Sequence, residues 1–202
     1  MRRIVLLLAV LLAGAAPAAS AQAGARVEVR VDEATRDPII QVRNLLEEAT
    51  WRDALADAFP IALHWTVELW RPRGFWVPTA ERRFEFDVVI RREPLLGQYT
   101  LLTRQGTRTL PEQRFTDLRT LAMALEQALR LPALTPRRSG EWWYTASLRI
   151  TTLNDEELAE LERFAGRSGG GTTGDALTRA MVKLVGLPTQ TLEARSDRFR
   201  VP

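Results

Sequence analysis

Cysteine is absent from all 202 residues. That excludes disulfides, thiol nucleophiles, thiolate metal sites and acylation at a lipoprotein cysteine. Histidine occurs once, at His64, so a histidine-rich zinc site cannot be assembled either. Lysine is nearly missing: Lys183 is the only one, and the high isoelectric point reflects arginine, which does not deprotonate. An excess of one charge is missing too. Lys+Arg number 28 and Asp+Glu 25, interleaved along every segment. The basic stripe that nucleic-acid binding needs is therefore not there. Beyond the N-terminus no run is apolar enough to cross a bilayer, and no repeat on the order of 20–50 residues is visible. What remains is 46% apolar and 26% charged residues, the balance of a globular protein with a substantial core.

The N-terminus reads as an export signal over 1–21. Met1-Arg2-Arg3 is a short positive region, Ile4 to Leu12 a compact apolar run, and Ala19-Ser20-Ala21 a small-x-small cleavage site. Cleavage is expected after Ala21 or, through Ala21-Gln22-Ala23, after Ala23. The apolar run falls well short of the roughly 20 residues of a spanning helix, and an uncleaved anchor is the alternative. The expected location is outside the inner membrane, in a bacterial periplasm, with the mature chain soluble.

From Pro60 to Arg92 the chain alternates with period two. Ile61, Leu63, Trp65, Val67 and Leu69 share one face of a strand, and Phe84, Phe86, Val88 and Ile90 one face of a second. The tip, Arg71 to Pro78, holds two prolines and a glycine and is expected to stop both ladders. Other strands are read over Arg26–Val31, Ile39–Leu46, Gln98–Arg104 and Trp142–Thr152, with a short edge strand within Thr109–Phe115. In Trp142–Thr152, Trp142, Tyr144, Ala146, Leu148 and Ile150 point one way and Trp143, Thr145, Ser147, Arg149 and Thr151 the other. A short helix capped by Thr50 carries Trp51, Leu55, Ala58 and Phe59 on one face. A second, capped by Thr116 or Asp117, carries a stripe from Leu118 to Leu129. The fold class is thus mainly β (α+β): an antiparallel, β-sandwich-like domain over 24–153 with peripheral helices. A helical appendage is expected over 154–202. It consists of a helix capped by Asn154, a glycine-rich hinge at 166–174, a second amphipathic helix, and a polar tail in which Leu192, Phe199 and Val201 are the anchors.

The order of features resembles the bacterial exported family called domain of unknown function 4390. The similar points are the Ala58-Phe59-Pro60-Ile61 step, the strand Trp65 to Trp70, and the tip with Arg71, Arg73, Phe75 and Trp76. They continue through the run Phe84 to Ile90, a strand with Tyr99, the helix pattern Leu121 to Leu125, and a late strand with Tyr144 and Arg149. The resemblance covers about Val27 to Leu153 and implies an exported single-domain protein of no assigned activity. It supplies no functional residues.

Catalytic motifs fail on context. Gly166 to Gly170 spells G-x-S-x-G, but glycine and threonine follow where a nucleophile elbow needs a helix. Gly169 to Gly174 begins like a phosphate loop, but Asp175 stands where lysine belongs and repels phosphate, so no nucleotide is expected. The acid runs Glu47-Glu48 and Asp155-Glu156-Glu157 are adjacent on their segments and do not face each other. No metal or other cofactor is implied, and nothing near His64 in sequence marks a relay.

The tip stands apart from these. Trp70, Phe75 and Trp76 crowd a connection that carries Arg71 and Arg73, residue types that dominate binding hot spots. Either this area folds back on its own sheet, with arginine stacked on indole, or it meets an envelope protein or a membrane surface. The leading expectation is a non-catalytic envelope binding module. A carrier of an apolar ligand or lipid and a carboxylate-type hydrolase are the alternatives.

Overall fold

The computed structural model describes residues 24–73, 76–152 and 188–202, with the backbone alone of 73, 76 and 77. The expected export signal, and the expected Asn154 helix, hinge at 166–174 and second appended helix, lie outside the described residues.

Two antiparallel layers enclose the core. The smaller has the order β1-β2-β8, from Arg26–Val31, Pro38–Arg43 and Leu129–Arg130. The larger has the order β10-β9-β3-β4-β5-β6. Its strands are β3 (Ile61–Arg73), β4 (Trp76–Glu93), β5 (Gln98–Gln105), β6 (Arg108–Thr109), β9 (Gly140–Thr152) and β10 (Thr189–Arg195). Two short strands flank that path: β7 (Gln113–Phe115) pairs with β5, and β11 (Phe199–Val201) with β9. This is the sandwich-like α+β domain that the alternation predicts. The inward faces of β3 and β9 are sealed: Ile61, Leu63, Val67, Leu69, Tyr144, Ala146, Leu148 and Ile150 are all within 1% of full burial. They meet Ile40 and Val42 of the smaller sheet, Trp51 and Leu55 of helix α1 (Ala49–Ala56), and Leu121 of α2 (Leu118–Leu125). Among the described residues no helix is long and apolar enough to cross a membrane.

Several boundaries differ from the sequence reading, each for a local reason. The tip does not stop the ladders: β3 runs through Pro72 and β4 through Pro78. A register shift between Arg71 and Arg73 leaves Pro72 out of the pairing, and beyond Trp70 strand β3 has only β4 beside it, so a missing N–H is tolerated there. The second strand ends at Arg43, because Asn44 adopts a left-handed conformation (φ 57) and opens a 3-10 turn over Leu45–Glu47. Helix α1 takes Glu48, not Thr50, as its N-cap. Ala58 turns left-handed (φ 63) just after the helix, and Phe59 swings out to 45% exposure instead of joining the buried face. Helix α2 is capped by Asp117, whose carboxylate accepts from the Thr120 amide at 2.8 Å. It stops at Leu125, because Leu129 and Arg130 leave it to pair with Ile40 and Ile39 at the edge of β2.

The largest correction concerns the C-terminus. Residues 189–201 are not a tail on an appendage but two strands of the main sheet, both antiparallel to β9. Ser196 bridges them: its amide donates to the Tyr144 carbonyl and its hydroxyl accepts from the Tyr144 amide, both at 2.9 Å. Leu192, Phe199 and Val201 do pack on the core.

Candidate functional site

Register determines what the outer face of the large sheet displays. His64, Thr66, Glu68 and Trp70 of β3 lie opposite Arg149, Ser147, Thr145 and Trp143 of β9. On the other side of β3, Asp87, Glu85 and Arg83 of β4 lie opposite His64, Thr66 and Glu68. Thr191, Glu193 and Arg195 of β10 extend the rows beyond β9. Directly opposed residues share a face, so these side chains form one polar field.

The field ends in an aromatic and cationic cap. The indoles of Trp70 and Trp143 stack across the strands, 6.4 Å apart and 8° from parallel. The guanidinium carbons of Arg195 and Arg198 lie 4.4 and 5.3 Å from the Trp143 ring centre. Trp143 is only 4% exposed although it points away from the core, and the two arginines form part of its cover. On the opposite face Arg71 lies over Trp142, at 5.4 Å. Gly140, at φ 137, opens β9 beneath that guanidinium in a conformation suited to glycine. Of the residues singled out from sequence, Trp70 and Arg71 thus lie at this end and are engaged by their own chain. Arg73 and Trp76 pair through their backbones, while their side chains and Phe75 lie outside the described residues. Trp143, Arg195 and Arg198 were missed. The doubled Trp142-Trp143 was visible, but Arg195 and Arg198 sat in a stretch read as a tail.

Next along the field is a relay that sequence did not reveal. His64 Nδ1 lies 2.7 Å from Asp87 Oδ1, and its Nε2 lies 3.4 Å from Thr66 Oγ1. A carboxylate only accepts, so Nδ1 carries the hydrogen; in the neutral ring Nε2 then accepts from the Thr66 hydroxyl. The connectivity is that of a hydrolytic triad, but its surroundings are not. β3 is bordered by strands on both sides, so the backbone amides around Thr66 are engaged in ladders and none is aimed at an oxyanion above the sheet.

Between relay and cap runs an open groove of about 470 Å³, lined by Thr66, Glu68, Thr145, Ser147, Glu193 and Arg195. Glu47 and Glu48 form no acid pair: Glu47 is exposed, while Glu48 accepts from the Ala25 amide at 2.6 Å and from Gln190 at 3.4 Å. Among the described residues no group of three or more His, Asp and Glu side chains could hold a metal ion.

A second polar cluster joins the two layers. Asp37, 4% exposed, accepts from Arg130 at 2.6 Å, from Thr35 at 2.9 Å and from Thr135. Burial works against its charge, but these donors and the Arg130 cation outweigh it and hold the carboxyl below its ordinary range. Nearby, burial and the Asp37 charge push the Tyr144 phenol well above its ordinary value, and its hydroxyl donates to the Arg36 carbonyl at 2.8 Å. These groups are structural.

Comparison with known proteins finds no matching family model, curated protein or solved structure.

Proposed function

We propose that this is an exported, non-catalytic binding module of the cell envelope, of the domain of unknown function 4390 type. Its contact surface is the arginine and tryptophan end of the β3–β4 hairpin. The observation that carries the reading is the stacking at this end: the guanidiniums of Arg195 and Arg198 lie over Trp143 on the outer face, and that of Arg71 lies over Trp142 on the opposite face. Arginine stacked in this way has its side chain ordered before any partner arrives, so less entropy is lost on binding. Its remaining N–H donors suit carboxylates, and the partner class is an acidic segment of another envelope protein. Arg73, Phe75 and Trp76 are neighbours in sequence of Arg71 in the same hairpin, and the proposal includes them on that ground.

Against a hydrolase, no amide pair stands over Thr66 among the described residues. The test is affinity capture from solubilised envelope with the wild type and with Arg73→Ala, Trp76→Ala and Arg195→Gln/Arg198→Gln variants. Loss of one shared acidic partner across these variants supports the reading; equal capture by all of them refutes it.

A further inference from the structure

The groove on the outer face adjoins the cap and shares Arg195 with it, but its chemistry points to a different ligand. We infer that it binds a saccharide chain through side chains alone. Three observations lead there.

The first is the floor. The groove lies across β3, β9 and β10, where the amides and carbonyls of β9 are paired on both sides. An extended peptide recognised by strand addition needs an open backbone edge, and the middle of the groove offers none. The ligand must be read by the side chains standing above the sheet.

The second is how two of those side chains are oriented. Trp70 Nε1 donates to Thr145 Oγ1 at 2.9 Å, so the Thr145 hydroxyl hydrogen is left to donate elsewhere. With the imidazole neutral, Thr66 donates toward His64 Nε2 at 3.4 Å, which leaves its oxygen lone pairs to accept. Before any ligand binds, one groove hydroxyl thus has a hydrogen to give and the other has lone pairs to receive one. A sugar hydroxyl both donates and accepts, and a neighbouring pair of hydroxyls on one ring matches such a set. Strands stand about 4.8 Å apart, a spacing on the scale of a single pyranose ring.

The third is the remaining polar lining, which stands beside Ala146 and Ala194. Glu68 and Glu193 accept, Arg195 donates, and Ser147 does either. Carboxylates of this kind are strong acceptors for neutral hydroxyls, while a mixed lining does not select for a highly charged ligand.

The test is a two-dimensional amide NMR titration of the full chain with cellotetraose and with chitotetraose. The expected result is saturable shifts at Thr66, Glu68, Thr145, Ser147 and Glu193, and at the Trp70 indole, with at least one of the two sugars. Thr145→Val keeps shape but removes the donor and is expected to weaken binding roughly three- to tenfold. Glu193→Gln, on an exposed strand position, is expected to weaken it by a similar factor without unfolding the chain. No shift with either sugar at millimolar concentration overturns the inference, as do shifts that map away from the groove or full binding by both variants. Capture of an acidic protein by the cap is read in a separate assay, so either proposal can fail alone.

Discussion

Asp37 lies where the β1–β2 turn meets the segment after β8, and side chains from three places donate to it: Thr35, Arg130 and Thr135. Asp37→Asn keeps the shape but weakens these bonds, and about 1–3 kcal/mol of stability is expected to be lost in urea unfolding. The pH dependence follows from the sign of the shift. The carboxyl is held below its ordinary 3.8, so its contribution is complete above that pH and is lost as pH falls through the lower folded value. The wild type should therefore lose stability on the acid side more steeply than Asp37→Asn; parallel curves would contradict the assignment. Tyr144→Phe removes the hydroxyl that donates to the Arg36 and Leu134 carbonyls, with an expected loss of about 1–2 kcal/mol. At this scale the sequence was partly legible. Alternation alone placed His64 on the outer face, because side-chain direction has period two. Its partner Asp87 lies 23 residues away in sequence, and which residue stands opposite depends on register, which alternation alone does not specify. The buried Asp37 was hidden for a related reason: its donors come from residues up to 98 positions distant.

Strand β9 is the element that the others converge on, since β3, β10 and β11 all pair with it. Its inward residue Leu148 is fully buried, and Leu148→Ala is expected to cost about 2–5 kcal/mol in chemical unfolding. The same pairing explains what was readable. Long one-sided strands such as β3 and β9 announced themselves through alternation. Short ones did not: β8 has two residues and β11 three, too few for any period to show. Strand β10 was obscured differently. TQTLEAR has only two apolar residues on its inner face, Leu192 and Ala194, because that face lies at the rim of the core. Removal of residues 189–202 provides the check at this scale. It bares one side of β9 from Gly140 to Thr151 and takes Arg195 and Arg198 off Trp143. The truncated chain is expected to lose cooperative unfolding or to aggregate through the exposed edge. Full retention of the wild-type melting temperature would show that the C-terminal strands are dispensable.

Across the whole molecule, apolar side chains fill the space between the two sheets, while the outer face of the larger sheet carries the polar field and its cap. On the proposed reading, recognition falls to side chains held by a rigid sheet. The lack of cysteine and the single histidine exclude thiol chemistry and a histidine-rich metal site, and those exclusions rest on residue counts that folding does not change. What composition could not show was the end at which the arginines gather, because Arg71, Arg195 and Arg198 come from distant parts of the chain. The most direct test of the account is the capture of an acidic envelope partner by the wild type and by Arg195→Gln/Arg198→Gln. The glutamines keep a planar group over Trp143 and remove its charge. The account predicts that capture is lost while the melting temperature stays within a few degrees of the wild type. Undiminished capture by the neutral variant would contradict it.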